Sequence, residues 1–464
     1  MKNHTRRNFL QSGGAVTVGL IAPRIFAAEP QDCAGPKTPA PVPFTPDTST
    51  PIQSRRPAYT LTAAEIAKLR KAYAALRALA VSDPTDPRGW LQQGNKHCWQ
   101  CNGGLDHQHG EEIHGGWLFF PWHRAFLYFH ERILGKLIGD PSLRLAYWDW
   151  DNSQHRGVPP AWVTPNTLAS NPLFDANRSA VASSQIPPQY VGPSAMNPIW
   201  GAPDFTAIGG SPGDQDGGVV ENTVHGLVHI WCGDTSLRTS KADMGLLDTA
   251  AQDPVFFAHH SNIDRIWSVW NRSSSSHTNP TDPTWLNHTF YFWDENKRWV
   301  SIKVSDVLNM DQSLRYNYGS TTPPTLITGA ISSVKIANEF TQTLTIPENA
   351  RNRLISNAPP KLTTIRMEQL KLPPGASGVY TIVANKPEAA AATVAGTPNA
   401  LGYIAIVPAT SEAAHSHGNL SVALNLTGNA ALLRESGKLQ LTLAPVAGGP
   451  STPLGAGNVY LVER

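Results

Sequence analysis

Apolar residues recur at helical spacing over residues 60–80, TLTAAEIAKLRKAYAALRALA, where Ile66, Leu69, Tyr73, Leu76 and Leu79 share a face. Thr62 followed by Glu65 predicts a capping box at the start of this helix. A second helix is predicted over 123–138, with Phe126, Phe129, Ile133 and Leu137 on one side and Pro121 just ahead of it. Residues 221–231 and 255–271 are two further helical segments, and the region near 152–220 reads as long loops. Residues 29–57, rich in Pro, Thr and Ser, predict an extended segment packed on, or linked to, the body. The pattern changes after Tyr318. A linker over 320–330 leads into stretches of period two: VYTIVAN (379–385), GYIAIVP (402–408), LSVALNLT (420–427), KLQLTLAP (438–445) and NVYLVE (458–463). The expectation is a multidomain chain, with a mainly α part followed by an all-β sandwich over 331–464.

Composition narrows the class. The chain has 464 residues, 41% hydrophobic and 16% charged, enough for more than one core. A net charge of +2 gives no electrostatic reason to expect nucleic acid or an anionic membrane. There is no apolar run long enough for a mature transmembrane helix. The first 28 residues contain TRRNFLQSGGAVTVGLIAPRIFAA, with Arg6 and Arg7, then Phe9 and Leu10, and small residues Ala27 and Ala28. This resembles a twin-arginine signal peptide, implying export to the periplasm or beyond. The cysteines are Cys33, Cys98, Cys101 and Cys232; in an exported protein they allow three full pairings, and spacing does not choose between them.

The candidate chemistry lies in histidines. His225 and His229 are four apart, on one face of a helix, and DPVFFAHHSNIDRIW (253–267) adds His259 and His260. Upstream, NKHCWQCNGG supplies His97, and EIHGGWLFFPWHRAFLYFHER supplies His114 and His123, set among Trp117, Phe119, Phe120, Trp122 and Phe126. Aromatic rings there would exclude water and hold imidazoles in place. Imidazole suits copper, zinc, iron and nickel, so ligand type alone does not select the metal. Either half alone reads equally well as a packed aromatic core with satisfied histidines.

Together, HCxxC, HxxWLFFPWHRxxLYFHERIL, HxxxHIWxGD and DPxFFAHHSNxDRxW occur in that order. The set resembles the type-3 copper polyphenol oxidases, the tyrosinases and catechol oxidases, particularly of the plant type. The likeness continues through TDPTWLNHTFYFWDENKRWVSIKVSDVL (281–308) and the YNY of Tyr316–Tyr318. It implies a dicopper catalytic domain over 29–319 built on a four-helix bundle, and a C-terminal shielding domain over 331–464. By resemblance, His97, His114 and His123 hold one copper, and His225, His229 and His260 the other. His259 then supports the ligands or packs. Asp264 would orient an imidazole, or form an ordinary salt bridge with Arg265 or a neighbour. The resemblance also implies a thioether from Cys101 to His114 and a disulfide from Cys98 to Cys33; a Cys98–Cys101 disulfide is the competing pairing, and Cys232 is left as a buried thiol.

The implied reaction is oxidation of o-diphenols to o-quinones by O2 at two copper ions, with small phenols and O2 as partners. Glu221, one turn before His225, matches the acidic residue that holds a water and accepts a phenol proton; a glutamate favoured at a helix start is the competing reading. Gly226, where monophenol-active members often carry Asn, points to diphenols. Leu247, in place of the family's aromatic gate, points the other way. His415 and His417 in HSHG could take copper in transit from a delivery partner, or lie in an exposed loop. Two alternatives to the oxidase are an O2 carrier resembling hemocyanin and a zinc protein using only the 225–260 histidines.

Overall fold

The computed structural model describes residues 38–101 (the last by its backbone), 113–179, 183–212, 216–233, 243–319, 331–356, 358–408 and 419–464. The signal segment, Cys33, the 320–330 linker, His415 and His417 lie outside the described residues.

The helical part is organised by five helices: α1 (Ala63–Ser82), α2 (Trp90–Cys101), α3 (Phe119–Ile138), α4 (Gly226–Cys232) and α5 (Val255–Ser273). The capping box of α1 is present: Glu65 N–H donates to the Thr62 hydroxyl and the Glu65 carboxylate accepts from Thr62 N–H. Helix α3 begins four residues earlier than predicted. Pro121 sits within its first turn, where a missing N–H costs no helical bond. The segment predicted as one helix over 221–231 is a π-helical turn, Glu221–His225, running into α4. Helix α2 is not predicted by apolar spacing. Where loops were expected, short helices occur at Pro160–Val163, Pro188–Val191, Pro193–Trp200 and Phe205–Gly209.

The extended N-terminal segment is stitched to the body. Val42–Pro43 pairs in parallel with Val300–Ser301, Gln53–Ser54 with Tyr316–Asn317, and Arg56–Pro57 with Ala146–Tyr147. Among the described residues, no helix is long and apolar enough to cross a membrane.

The C-terminal region is all-β apart from short turns of helix. One sheet runs in the order Thr343–Thr345, Lys438–Pro445, Gly378–Ala384, Ala400–Ile406. The other runs Val422–Asn425, Thr363–Met367, Val459–Glu463, Ser332–Ala337. Leu439, Leu441, Leu443, Ile382 and Ile404 of the first face Ile365, Met367, Leu424, Val459 and Leu461 of the second in one core, as two-sheet packing requires.

The two parts meet beside the histidines. Tyr403 and Ala405 join the core of the helical part. Asn419–Leu420 pairs in parallel with Asp216–Gly217, and the Ser421 hydroxyl donates to Asp216 at 2.7 Å. Leu247 N–H donates to the Pro408 carbonyl at 3.0 Å.

Candidate metal centre

The predicted histidines converge. His97 comes from α2, His123 from α3, His225 from the π turn, His229 from α4 and His260 from α5, while His114 lies in the loop before α3. Their ring centroids lie 5.4–5.6 Å apart within the His97, His114, His123 set. Within His225, His229 and His260 the separations are 4.6, 5.0 and 5.3 Å. The sets touch: His123 stacks on His260 at 4.3 Å, and His114 lies 6.3 Å from His225. The ligating atoms form two groups, His97–His114–His123 and His225–His229–His259–His260, each spanning no more than 4.8 Å.

The rings are aimed by backbone carbonyls. Nδ1–H of His97 donates to Leu247, of His123 to Phe119, of His225 to Glu221 and of His229 to Met244, at 3.1, 2.8, 3.2 and 2.8 Å. Each bond fixes the proton on Nδ1 and leaves the Nε2 lone pair for a cation. Among the described residues, Nε2 of His123 and of His225 is buried with no hydrogen-bond partner, an arrangement that a metal ion would satisfy. Nε2 of His229 faces Nε2 of His260 at 3.1 Å. Burial, reinforced by neighbouring imidazoles, pushes His97, His123, His225 and His260 well below the ordinary histidine range, and burial brings His229 to about 4. Lowering of this kind favours the neutral form of these five imidazoles, the form that binds metal.

Phe119 and Phe256 wall the site. Phe119 lies 4.7 Å from His123 and 4.8 Å from His225; Phe256 lies 4.0 Å from His260 and 4.8 Å from His97. Phe256, one of the adjacent pair Phe256–Phe257, was not singled out from the sequence, where an aromatic residue in a helix carries no signal of a metal.

Glu221 is buried, and its Oε1 accepts from Gly115 N–H at 2.8 Å, joining the loop of His114 to the turn of His225. Gly115 has φ +76°, a conformation glycine adopts without strain. Among the described residues, Asp264 binds no imidazole. Its carboxylate accepts from Arg124 at 2.5 Å, Arg55 at 3.4 Å, and the hydroxyls of Tyr316 and Tyr318 at 2.6 Å each. The salt bridge of Asp264 is with Arg124 and Arg55, while Arg265 pairs with Asp151. Leu247 packs against Val407 of the β region, and a Cβ at Gly226 would stand 3.0 Å from that of Ala405. Both residues chosen for the site entrance therefore lie under the C-terminal part. His259 accepts from Trp150 Nε1–H at 3.0 Å. Cys98 is buried, and Cys232 is a buried free thiol.

The model for the common central domain of tyrosinase matches residues 87–201 and 199–273, and that for the polyphenol oxidase middle domain matches 279–326. A latent-form polyphenol oxidase of Prunus armeniaca is 34% identical over 75% of this chain and 60% of its own length. Aureusidin synthase of Antirrhinum majus is 33% identical over 61% of this chain and 54% of its own. The chain thus spans little more than half the length of such relatives. Among solved structures, latent apple tyrosinase superposes with a TM-score of 0.65 and 26% identity, covering 93% of this chain and all of that one. Grenache (Vitis vinifera) polyphenol oxidase gives 0.55 and 31%, covering 64% and 93%. The chain belongs to the tyrosinase family, in its polyphenol oxidase branch. That family's centre is a dinuclear copper site, and the two histidine groups are consistent with one.

Proposed function

We propose that this chain oxidises o-diphenols to o-quinones with O2, as a polyphenol oxidase. The carrying observation is the convergence of two histidine groups, in which His97, His123, His225 and His229 are aimed by backbone carbonyls that leave their Nε2 lone pairs available. His97, His114 and His123 hold one copper, and His225, His229 and His260 the other. The copper pair supplies O2 binding and two-electron transfer. The chain supplies a dry pocket walled by Phe119 and Phe256, and a carboxylate at Glu221 to accept a phenol proton through water. The relatives bear the names of phenol-oxidising enzymes, which favours turnover over O2 carriage.

Gly226 has a packing reason to lack a side chain, since Ala405 and Val407 lie against it. Diphenol preference is therefore proposed on the missing Asn alone, with Leu247 leaving room for monophenols. The Cys101–His114 thioether and the Cys33–Cys98 disulfide are proposed on resemblance, as are twin-arginine export and copper loading by a delivery partner. Residues 331–464 are proposed to be a shield: the Pro408 carbonyl and Val407 engage Leu247, and strand 419–420 lies along Asp216–Gly217. Two of the proteins compared are named as latent forms, which agrees with this.

The test is oxygen uptake by the copper-loaded chain with catechol and with a monophenol, before and after cleavage in the 320–330 segment. The reading expects catechol turnover that rises at least about tenfold on cleavage, a barrier change of roughly 1.4 kcal/mol. Copper-loaded chain that takes up no oxygen with catechol, cleaved or intact, refutes the oxidase. Equal turnover before and after cleavage refutes the shield.

A further inference from the structure

Among the described residues, the chain gathers one imidazole more than two three-ligand copper sites require. The ligating atoms of His225, His229, His259 and His260 all lie within 4.8 Å of one another, and all four rings are buried. Four imidazoles around one ion would make a closed tetrahedral shell, whereas a metal that handles O2 or substrate keeps a position open. Something must keep one of the four off the metal.

Trp150 is placed to do this. Its Nε1–H donates to Nδ1 of His259 at 3.0 Å, with both residues buried. A neutral imidazole has one lone pair and one N–H. The indole takes up the lone pair at Nδ1, so the proton resides on Nε2; that atom is as buried as Nε2 of His123 and His225, but as an N–H it offers a cation no lone pair. His225 and His229 are arranged the opposite way: their Nδ1–H groups donate to carbonyls and their Nε2 lone pairs stay available. The indole is held firmly. Trp148 N–H donates to the Ala258 carbonyl at 2.9 Å, one residue before His259. Asp151, next to Trp150, is clamped by Arg265 at 2.5 and 2.7 Å and by Asn262 at 3.1 Å. Helix α5 therefore fixes both the fourth imidazole and the strap that restrains it.

We infer that Trp150 is a positioning residue: its indole N–H holds His259 in the Nε2–H tautomer and so keeps a coordination position open on the copper bound by His225, His229 and His260. The inference rests on the dicopper reading above and deepens it.

Trp150→Phe keeps a ring in place and removes the donor. In the copper(II)-loaded full chain, azide serves as a probe of an open metal position. We expect Trp150→Phe to weaken azide binding at least tenfold, to slow release of one of the two coppers to a chelator at least tenfold, and to lower catechol turnover in proportion. Adding His259→Phe should return all three towards wild type, because no fourth imidazole remains. Wild-type azide affinity and copper release in Trp150→Phe would overturn the inference. So would a double variant as impaired as the single one, since Trp150 would then act by packing. Should Trp150→Phe fail to fold, ¹⁵N shifts of the His259 ring in the metal-free wild-type chain decide instead: a proton on Nε2 supports the inference and one on Nδ1 overturns it. Wild-type copper content and catechol turnover test the oxidase reading by themselves, so failure of one is not failure of the other.

Discussion

The two halves of the metal centre are built differently. The His225–His229–His260 half is nearly self-contained: two proposed ligands one turn apart and a third from α5, with a fourth imidazole beside them. The His97–His114–His123 half draws on a helix, a loop and a second helix, and it borrows supports from the other half's segments. His97 leans on the carbonyl of Leu247, which lies 150 residues on, and the loop of His114 is tied through Gly115 to Glu221. Local spacing builds one half; the other exists only once the fold has closed around it. The first half should therefore tolerate disturbance at its neighbour better than the reverse.

The largest effect should come from the ligands. His123→Ala and His260→Ala should each cut catechol turnover by at least about 10³-fold, with copper falling below two per chain by metal analysis. The comparison is sharpened by asymmetry: His260→Ala should also weaken the remaining copper, whereas His123→Ala should leave its neighbour's copper in place. Equal copper loss in the two variants would break the comparison.

Next in size is Asp264→Asn. The Asp264 carboxylate joins α5 to Arg124 of α3, to Arg55 and to the hydroxyls of Tyr316 and Tyr318, all buried. Neutralising it leaves two buried guanidiniums undercompensated, at a cost of about 3–5 kcal/mol, read as a lowered denaturant midpoint. Both halves should suffer alike, because α3 and α5 each carry a ligand.

Acid probes the metal-free chain. His229 titrates at about 4 when folded, because burial disfavours its charge, against 6.5 as the ordinary value. Between those values the unfolded chain takes up a proton that the folded chain refuses. Stability is therefore intact above about pH 6.5 and falls as pH drops towards about 4, by roughly 3 kcal/mol for this one group. Urea unfolding of the metal-free chain across pH 4–7 measures it, and a flat profile would contradict it.

The smallest effect of the four is Glu221→Gln. An amide oxygen can still accept from Gly115 N–H, so the His114 loop should hold and copper content should stay at two. Turnover should fall about 10²-fold through loss of the proton acceptor. Loss of the first copper instead would assign Glu221 to support alone.

The same contrast explains what was legible in the chain. His225 and His229 announce themselves because four residues make one helical turn, and the β region announces itself by period two. Helix α2, WLQQGNKHCWQC, has polar residues and a glycine where an apolar stripe would show, so the element carrying His97 was missed. Gly94 is needed there because a Cβ would come within 2.8 Å of the Gln252 side chain, a contact no local pattern reveals. Asp264 was expected to orient an imidazole because it lies one turn from His260. Its partners Arg55 and Arg124 are 209 and 140 residues away, beyond the reach of spacing arguments. The Leu247 carbonyl that aims His97 left no trace, since every residue has a carbonyl. The contacts of Gly226 and Leu247 with Ala405 and Val407 likewise depend on how two separately patterned regions dock.

The central claim is that both histidine groups serve one pair of metal ions. X-ray absorption on the copper-loaded chain, with copper counted on the same sample, tests this most directly. The account predicts two coppers per chain, each ligated by imidazole nitrogen, with a metal–metal vector of roughly 3.5–4 Å. A single copper per chain, or two coppers with no short metal–metal vector, would contradict it.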